Sequence, residues 1–65
     1  MNRLMRHMGQ EVVIHGRDGR GFRGVMDGVD PPRGVFIRDG FGRRRFFSFI
    51  FVAAIFYFRG RRRIF

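Results

Sequence analysis

Cysteine, lysine, threonine and tryptophan are all missing from this chain of 65 residues. Without cysteine no disulfide can staple the fold, and two isolated histidines, His7 and His15, are too few for a structural zinc site. Serine occurs once, at Ser48 inside an apolar run, and neither histidine is near it in the chain. A nucleophile needs a base within hydrogen-bond reach and a third group to orient that base, so Ser48 reads as packing. Acid is scarce as well, with 5 Asp and Glu scattered through turns and strand ends, where Asp has ordinary structural roles. Gly19, Gly21 and Gly24 spell Gly-x-Gly-x-x-Gly, but inside a hairpin and not between a strand and a helix, so the dinucleotide reading fails on context. These absences argue against an enzyme, a metal site and a cofactor.

No leader is visible, and a membrane span would be strained. Met1 to Met8 has neither the apolar core nor the cleavage site of a secretory signal. The expected location is therefore cytoplasmic, with surface or coat assembly left open, since release by lysis needs no leader. The longest apolar run, Phe46 to Phe58, would span roughly 20 Å as a helix, short of the ~30 Å hydrocarbon core. Arginine triplets at 43–45 and 61–63 bracket it and would be dragged into lipid. A chain this short buries only about 60% of its unfolded surface. Small cores without staples usually call on a second copy to supply buried area, so a homo-oligomer is expected.

What the chain has in excess is arginine and phenylalanine. All 14 basic residues are Arg, giving a formal net charge of +9, and 10 residues are Phe. Such a field attracts nucleic acid, anionic lipid or an acidic partner, the reading of a polyanion binder; its bland counterpart is a solvated, self-repelling surface that keeps an apolar assembly soluble. Arg makes bidentate contacts and stacks on aromatic rings where Lys would act as a point charge.

Along the chain, Asn2 can cap a short helix over 2–8, with Leu4, Met5 and Met8 on one face and Gly9 as its stop. From Glu11 the period changes to two: Val12 and Ile14 point one way, Glu11, Val13 and His15 the other. Asp18-Gly19 signals a tight hairpin. Phe22 to Met26 returns as the second strand, with Phe22 and Met26 inward and Gly24 permitting a bend. Asp30-Pro31-Pro32-Arg33-Gly34 is a loop. Val35–Ile37 is the third strand, closed by Asp39 to Gly42. Phe46 to Phe58, aromatic and β-branched, reads as a long fourth strand. Arg59-Gly60 breaks it, and Arg61 to Phe65 forms a brief fifth. The expected fold is all-β with a short N-terminal helix, a single domain over 1–65 whose strands from residue 11 onward make a five-stranded, strongly bent antiparallel barrel.

Leu4, Gly9, Val12, Ile14, Asp18-Gly19-Arg20, Phe22, Gly24, Met26, Gly28, Val29, Asp30, Val35, Ile37 and Asp39 fall in the order and spacing of the first Sm motif. Phe58-Arg59-Gly60 followed by an apolar pair looks like the second. The chain thus resembles the Sm-like proteins, ring-forming RNA-binding barrels, over nearly its whole length. The resemblance implies rings of several subunits in which the fourth strand of one pairs with the fifth of the next. It also implies an RNA pocket facing the pore, with Pro32 at the stacking position, Gly34 where an Asn would read a base, and Arg59 as the Arg of the Arg-Gly turn. Gly34 has no side chain and Pro32 offers little to stack on. The candidate nucleic-acid-binding residues Arg33, Gly34, Arg59, Gly60, Arg61 and Arg62 are therefore expected to contact phosphate without reading a base.

Read as one strand, 46–58 is apolar on both faces. One carries Phe46, Ser48, Ile50, Val52, Ala54, Phe56 and Phe58; the other carries Phe47, Phe49, Phe51, Ala53, Ile55 and Tyr57. A barrel strand normally buries one face only, and an exposed second face would form a large apolar patch. Phe47, Phe49, Phe51, Ile55, Tyr57, Ile64 and Phe65 are accordingly the candidate subunit interface. The favoured expectation is a self-assembling structural protein, its rings stacking into tubes or fibres through the Phe-rich strand. The alternative is an RNA-binding ring with little base specificity; contact with a lipid surface is the least expected outcome.

Overall fold

The computed structural model describes residues 3–65. Its strands are β1 (Glu11–Gly16), β2 (Gly21–Asp30), β3 (Gly34–Arg38), β4 (Arg44–Ser48) and β5 (Val52–Tyr57). They form one antiparallel sheet in the order β4-β3-β2-β1-β5. The outer strands β4 and β5 are neighbours in sequence, and this forces the sheet to curl. Laid flat, the outer strands would stand about 19 Å apart at about 4.8 Å per step. The link from Ser48 to Val52 reaches at most about 14 Å even fully extended, and a turn bond from the Phe51 amide to the Ser48 carbonyl (2.9 Å) shortens it further. The expected strongly bent five-stranded antiparallel sheet is present.

Alternation builds the first hairpin. Val12, Ile14 and Gly16 are buried while the intervening side chains are not. Asp18 Oδ1 accepts from the Arg20 amide at 3.0 Å, and Gly19 takes a φ of +89° that a side chain would resist. β2 runs on through Asp30, well past Met26, because a bulge between Met26 and Gly28 lets its first half pair with β1 and its second with β3. Gly24 marks a close approach. A Cβ there would lie against Ile37 and 2.6 Å from the Arg38 carbonyl oxygen. Leu4, Val12, Ile14, Met26, Val35, Ile37, Phe47, Val52 and Ile55 fill the curl as one core. Each such side chain contributes about 1.5–3 kcal/mol on leaving water.

Three expectations need correction. Arg3–His7 is a single stretch of 3-10 helix, and only Leu4 of its expected apolar face is buried, Met5 and Met8 being exposed. One apolar anchor does not offset the cost of nucleating an α-helix. The proposed cap, Asn2, falls outside the described residues.

The long strand 46–58 is interrupted at 49–51. Ser48 Oγ accepts from the Ile50 amide at 3.1 Å, diverting the backbone from the ladder. Phe47 reaches the core from β4, and Val52 and Ile55 reach it from β5. Two apolar sets that a straight strand would send to opposite faces thus share one interior.

Finally, 61–65 is not a strand. Gly60 (φ +81°) and Arg61 (φ +56°) reverse the chain, leaving an isolated bridge from Arg63 to Phe56. The Tyr57 amide donates to the Arg62 carbonyl and the Ile64 amide to the Ile55 carbonyl, both at 2.8 Å. The segment therefore lies along the edge of β5 that β1 leaves free.

Candidate anion-binding site

The scarce acids are nearly all committed. Glu11 pairs with Arg23 at 2.6 Å, Asp18 with Arg20 at 3.4 Å and Asp30 with Arg33 at 3.0 Å. Asp27 takes both Arg38 (3.1 Å) and Arg44 (2.7 Å). Asp39 serves its own turn, Oδ1 accepting from the Phe41 amide at 2.9 Å and the Arg43 amide at 3.0 Å. The Arg43 amide does most to hold its carboxyl below the ordinary value of 3.8, against a smaller desolvation effect. Among the described residues, no Asp or Glu side chain forms an ion pair with the guanidinium of Arg6, Arg17, Arg43, Arg45, Arg59, Arg61, Arg62 or Arg63, although Asp39 acts on Arg43 and Arg45 at longer range.

Part of this unpaired set converges. Arg6 and His7 from the 3-10 segment, with Arg62, Arg63 and Ile64 from the C-terminal segment, line an open concavity of about 520 Å³. Both walls are braced from within. The Tyr57 hydroxyl and His7 Nδ1 are hydrogen-bonded, and their rings meet edge-on at 5.1 Å. On the other wall Arg63 Nε donates to a main-chain oxygen of Phe65 at 2.9 Å, fixing the guanidinium. Arg6 and Arg62 are exposed, with no acceptor for their guanidiniums among the described residues. Arginines around a concavity that no Asp or Glu lines suit an anion with several oxygens, which a guanidinium meets with paired N–H donors.

The sequence-predicted binding residues do not form one pocket within the chain. Arg33 is exposed and paired with Asp30; Gly34, at the start of β3, is buried, and a Cβ there would come 2.8 Å from the Phe46 ring. The Arg33 carbonyl accepts from the Phe49 amide at 2.9 Å, next to the start of β5. Arg59 and Gly60 follow the far end of β5, a strand whose length at ~3.3 Å per residue is about 20 Å. Arg59 borders a different hollow with Gln10, Glu11 and Tyr57. Arg62 alone of the predicted set enters the arginine cleft, and Arg61 turns into a groove on the outer face of β1 and β5. Arg6 and His7 were missed because nothing local signals them: the β1–β5 pairing, with Val12 opposite Tyr57, brings them to residue 62.

Of the predicted interface residues, two are buried inside the chain and the other five keep part of their surface. Ile55 is 0% and Phe47 8% exposed, so neither has surface left for a second copy. Phe51 packs against Phe22 and Phe47, Phe49 stacks on Phe65 at 4.9 Å, and Tyr57 and Ile64 pack against the core. Phe65 keeps part of its ring in solvent. The most exposed large apolar side chains are Phe41 (91%), Ile50 (85%) and Met5 (54%), followed by Phe46 (46%). The turn positions of Phe41 and Ile50 were the available signal.

No established protein family matches the chain, and no curated protein or solved structure aligns with it significantly. Among the described residues, no helix is long and apolar enough to cross a membrane, and no cluster of His, Asp and Glu is arranged to hold a metal.

Proposed function

We propose that this chain is a non-enzymatic nucleic-acid-binding module that holds the phosphate backbone of RNA through Arg6, His7, Arg62 and Arg63. The observation that carries the reading is the cleft these residues line, where Arg6 and Arg62 are exposed and no Asp or Glu is among the lining residues. Membership of the Sm-like family belongs to the same proposal. It rests on the motif spacing together with the strand order, and it makes RNA the favoured polyanion. The test is a titration of a single-stranded RNA oligomer across a salt series. Removing one phosphate-binding arginine should lower the log–log slope by about 0.7, so the double variant Arg6→Gln, Arg62→Gln should bind more weakly with a shallower slope. Unchanged affinity and slope would overturn the reading.

Self-assembly is a second reading, favoured by the sheet edges. β4 has no partner strand on its outer side, and Phe46 and Ile50 stand exposed on it and beside it. An unpaired edge with exposed apolar side chains is a template for another chain. Electron microscopy after nuclease treatment tests this: rings or fibres that Phe46→Asp dissolves would support it, and a monomer at all concentrations would sink it.

A further inference from the structure

Beside the arginine cleft, Val13, His15, Phe56, Tyr57, Phe58 and Arg61 line a groove of about 180 Å³ on the outer face of β1 and β5. We infer that this groove takes one unpaired nucleobase of the strand whose phosphates occupy the arginine cleft. The inference rests on the proposed RNA-binding reading and adds the part that phosphate recognition alone does not supply, a preference for single strands.

Size and lining both fit a flat aromatic guest. A cavity of about 150 Å³ accommodates one benzene ring, so the groove is the right scale for a base and too small for a helix or a folded partner. The outward side chains of β1 and β5 bring Val13 opposite Phe56, and the His15 and Phe56 rings meet at 5.1 Å with a 50° tilt. Phe58 is fixed by Arg23, whose guanidinium lies 3.6 Å over its ring. Aromatic faces of this kind hold unstacked bases, and His and Arg beside them can reach base edges. Charge selects the occupant further. Arg61 is the charged residue of the groove, no carboxylate lines it, and the chain carries +9 overall, so an apolar guest tethered to an anion is preferred to an acid-poor peptide.

Two links couple groove and cleft. Arg61 and Arg62 are consecutive, one lining each site, and Tyr57 lines the groove while bonded to His7 of the cleft. Arg61 takes a φ of +56°, which a non-glycine residue adopts at a cost. That backbone turn is what sends consecutive side chains to two adjoining sites.

Fluorescence anisotropy with the full chain separates the two levels of the proposal. The probes are an oligoadenylate, an abasic ribose-phosphate oligomer of the same length, and the oligoadenylate annealed to its complement. The single strand should bind about tenfold or more tightly than the abasic oligomer, the gain expected from one stacked base, and more tightly than the duplex. Phe56→Leu, which keeps an apolar side chain in place, and His15→Ala, at an exposed position, should each erase most of that difference while leaving abasic binding unchanged. Equal binding of the single strand and the abasic oligomer would overturn the groove and leave the phosphate cleft standing. Failure of every probe to bind at low salt would overturn both.

Discussion

On the β3–β4 side of the sheet, Arg38 and Arg44 converge on Asp27 and Arg44 lies 4.0 Å over the Phe36 ring. Around the C-terminal turn, Arg59, Arg61, Arg62 and Arg63 have no carboxylate among the described side chains. The residue type is the same in both regions, and so is its local density. The difference lies in where five acids fall. Arg44 spends its charge on a neighbour and its planar face on a ring, becoming part of the wall. Arg62 has neither outlet and stays available to an external anion. In a protein this rich in one cation, the placement of the minority charge decides which arginines are tied into the wall and which stay open to an external anion.

That contrast can be broken at several points, beginning where the effect is largest. Gly24→Ala should disrupt the β2–β3 contact that aligns Arg38 with Asp27, because the new methyl meets Ile37 and the Arg38 carbonyl. Overpacking of this kind costs about 1–3 kcal/mol, read as a lower urea midpoint with the slope unchanged. Charge reversal in the other region, Arg6→Glu with Arg62→Glu, should lower RNA affinity by about tenfold or more and move the melting temperature little, since neither side chain has an internal partner. If that variant unfolds, the two regions are less distinct than described.

Converting the paired region into the unpaired kind gives a smaller effect. Asp27→Asn frees Arg38 and Arg44 together, and half-exposed ion pairs are worth about 0.2–1 kcal/mol each. Thermal melting should register a loss of that order, while RNA binding becomes tighter at low salt through the two released cations. Asp39 supplies the smallest test. Its folded-state pKa is depressed, chiefly by the Arg43 amide, so its contribution to stability is present above the ordinary carboxylate value of 3.8 and is lost as pH falls through the folded value. Asp39→Ala should therefore be less stable than the parent at neutral pH, and the two melting curves should converge in acid.

Local rules made much of this fold legible. Val12 and Ile14 alternate with polar neighbours, Asp18-Gly19 turns the first hairpin, and Asp39 closes the third strand, each through interactions within a few residues. The apolar run after Arg45 defeated period counting for a physical reason: a single Ser48 hydroxyl, bonding two residues ahead, stops a strand that every side chain around it would continue. The arginine cleft was half legible. Residues 61–63 stand out as a triplet, but Arg6 and His7 join them only through the register of β1 on β5, and register across so long a separation has no local signature. The apolar groove was out of reach for the same reason, as its walls come from residues 13–15 and 56–61.

The two edges of the sheet differ in a way that bears on kinetics. A strand arriving at β4 has only water to displace, whereas one arriving at β5 must first peel away the segment whose backbone holds Ile55 and Tyr57. Any growth of this molecule by strand addition would accordingly be polarised, with one end always open and the other latched. Shortening the chain before Arg61 would remove the latch and the arginine cleft in the same cut, so the ability to polymerise from both ends and the ability to hold an anion would be mutually exclusive states of one tail.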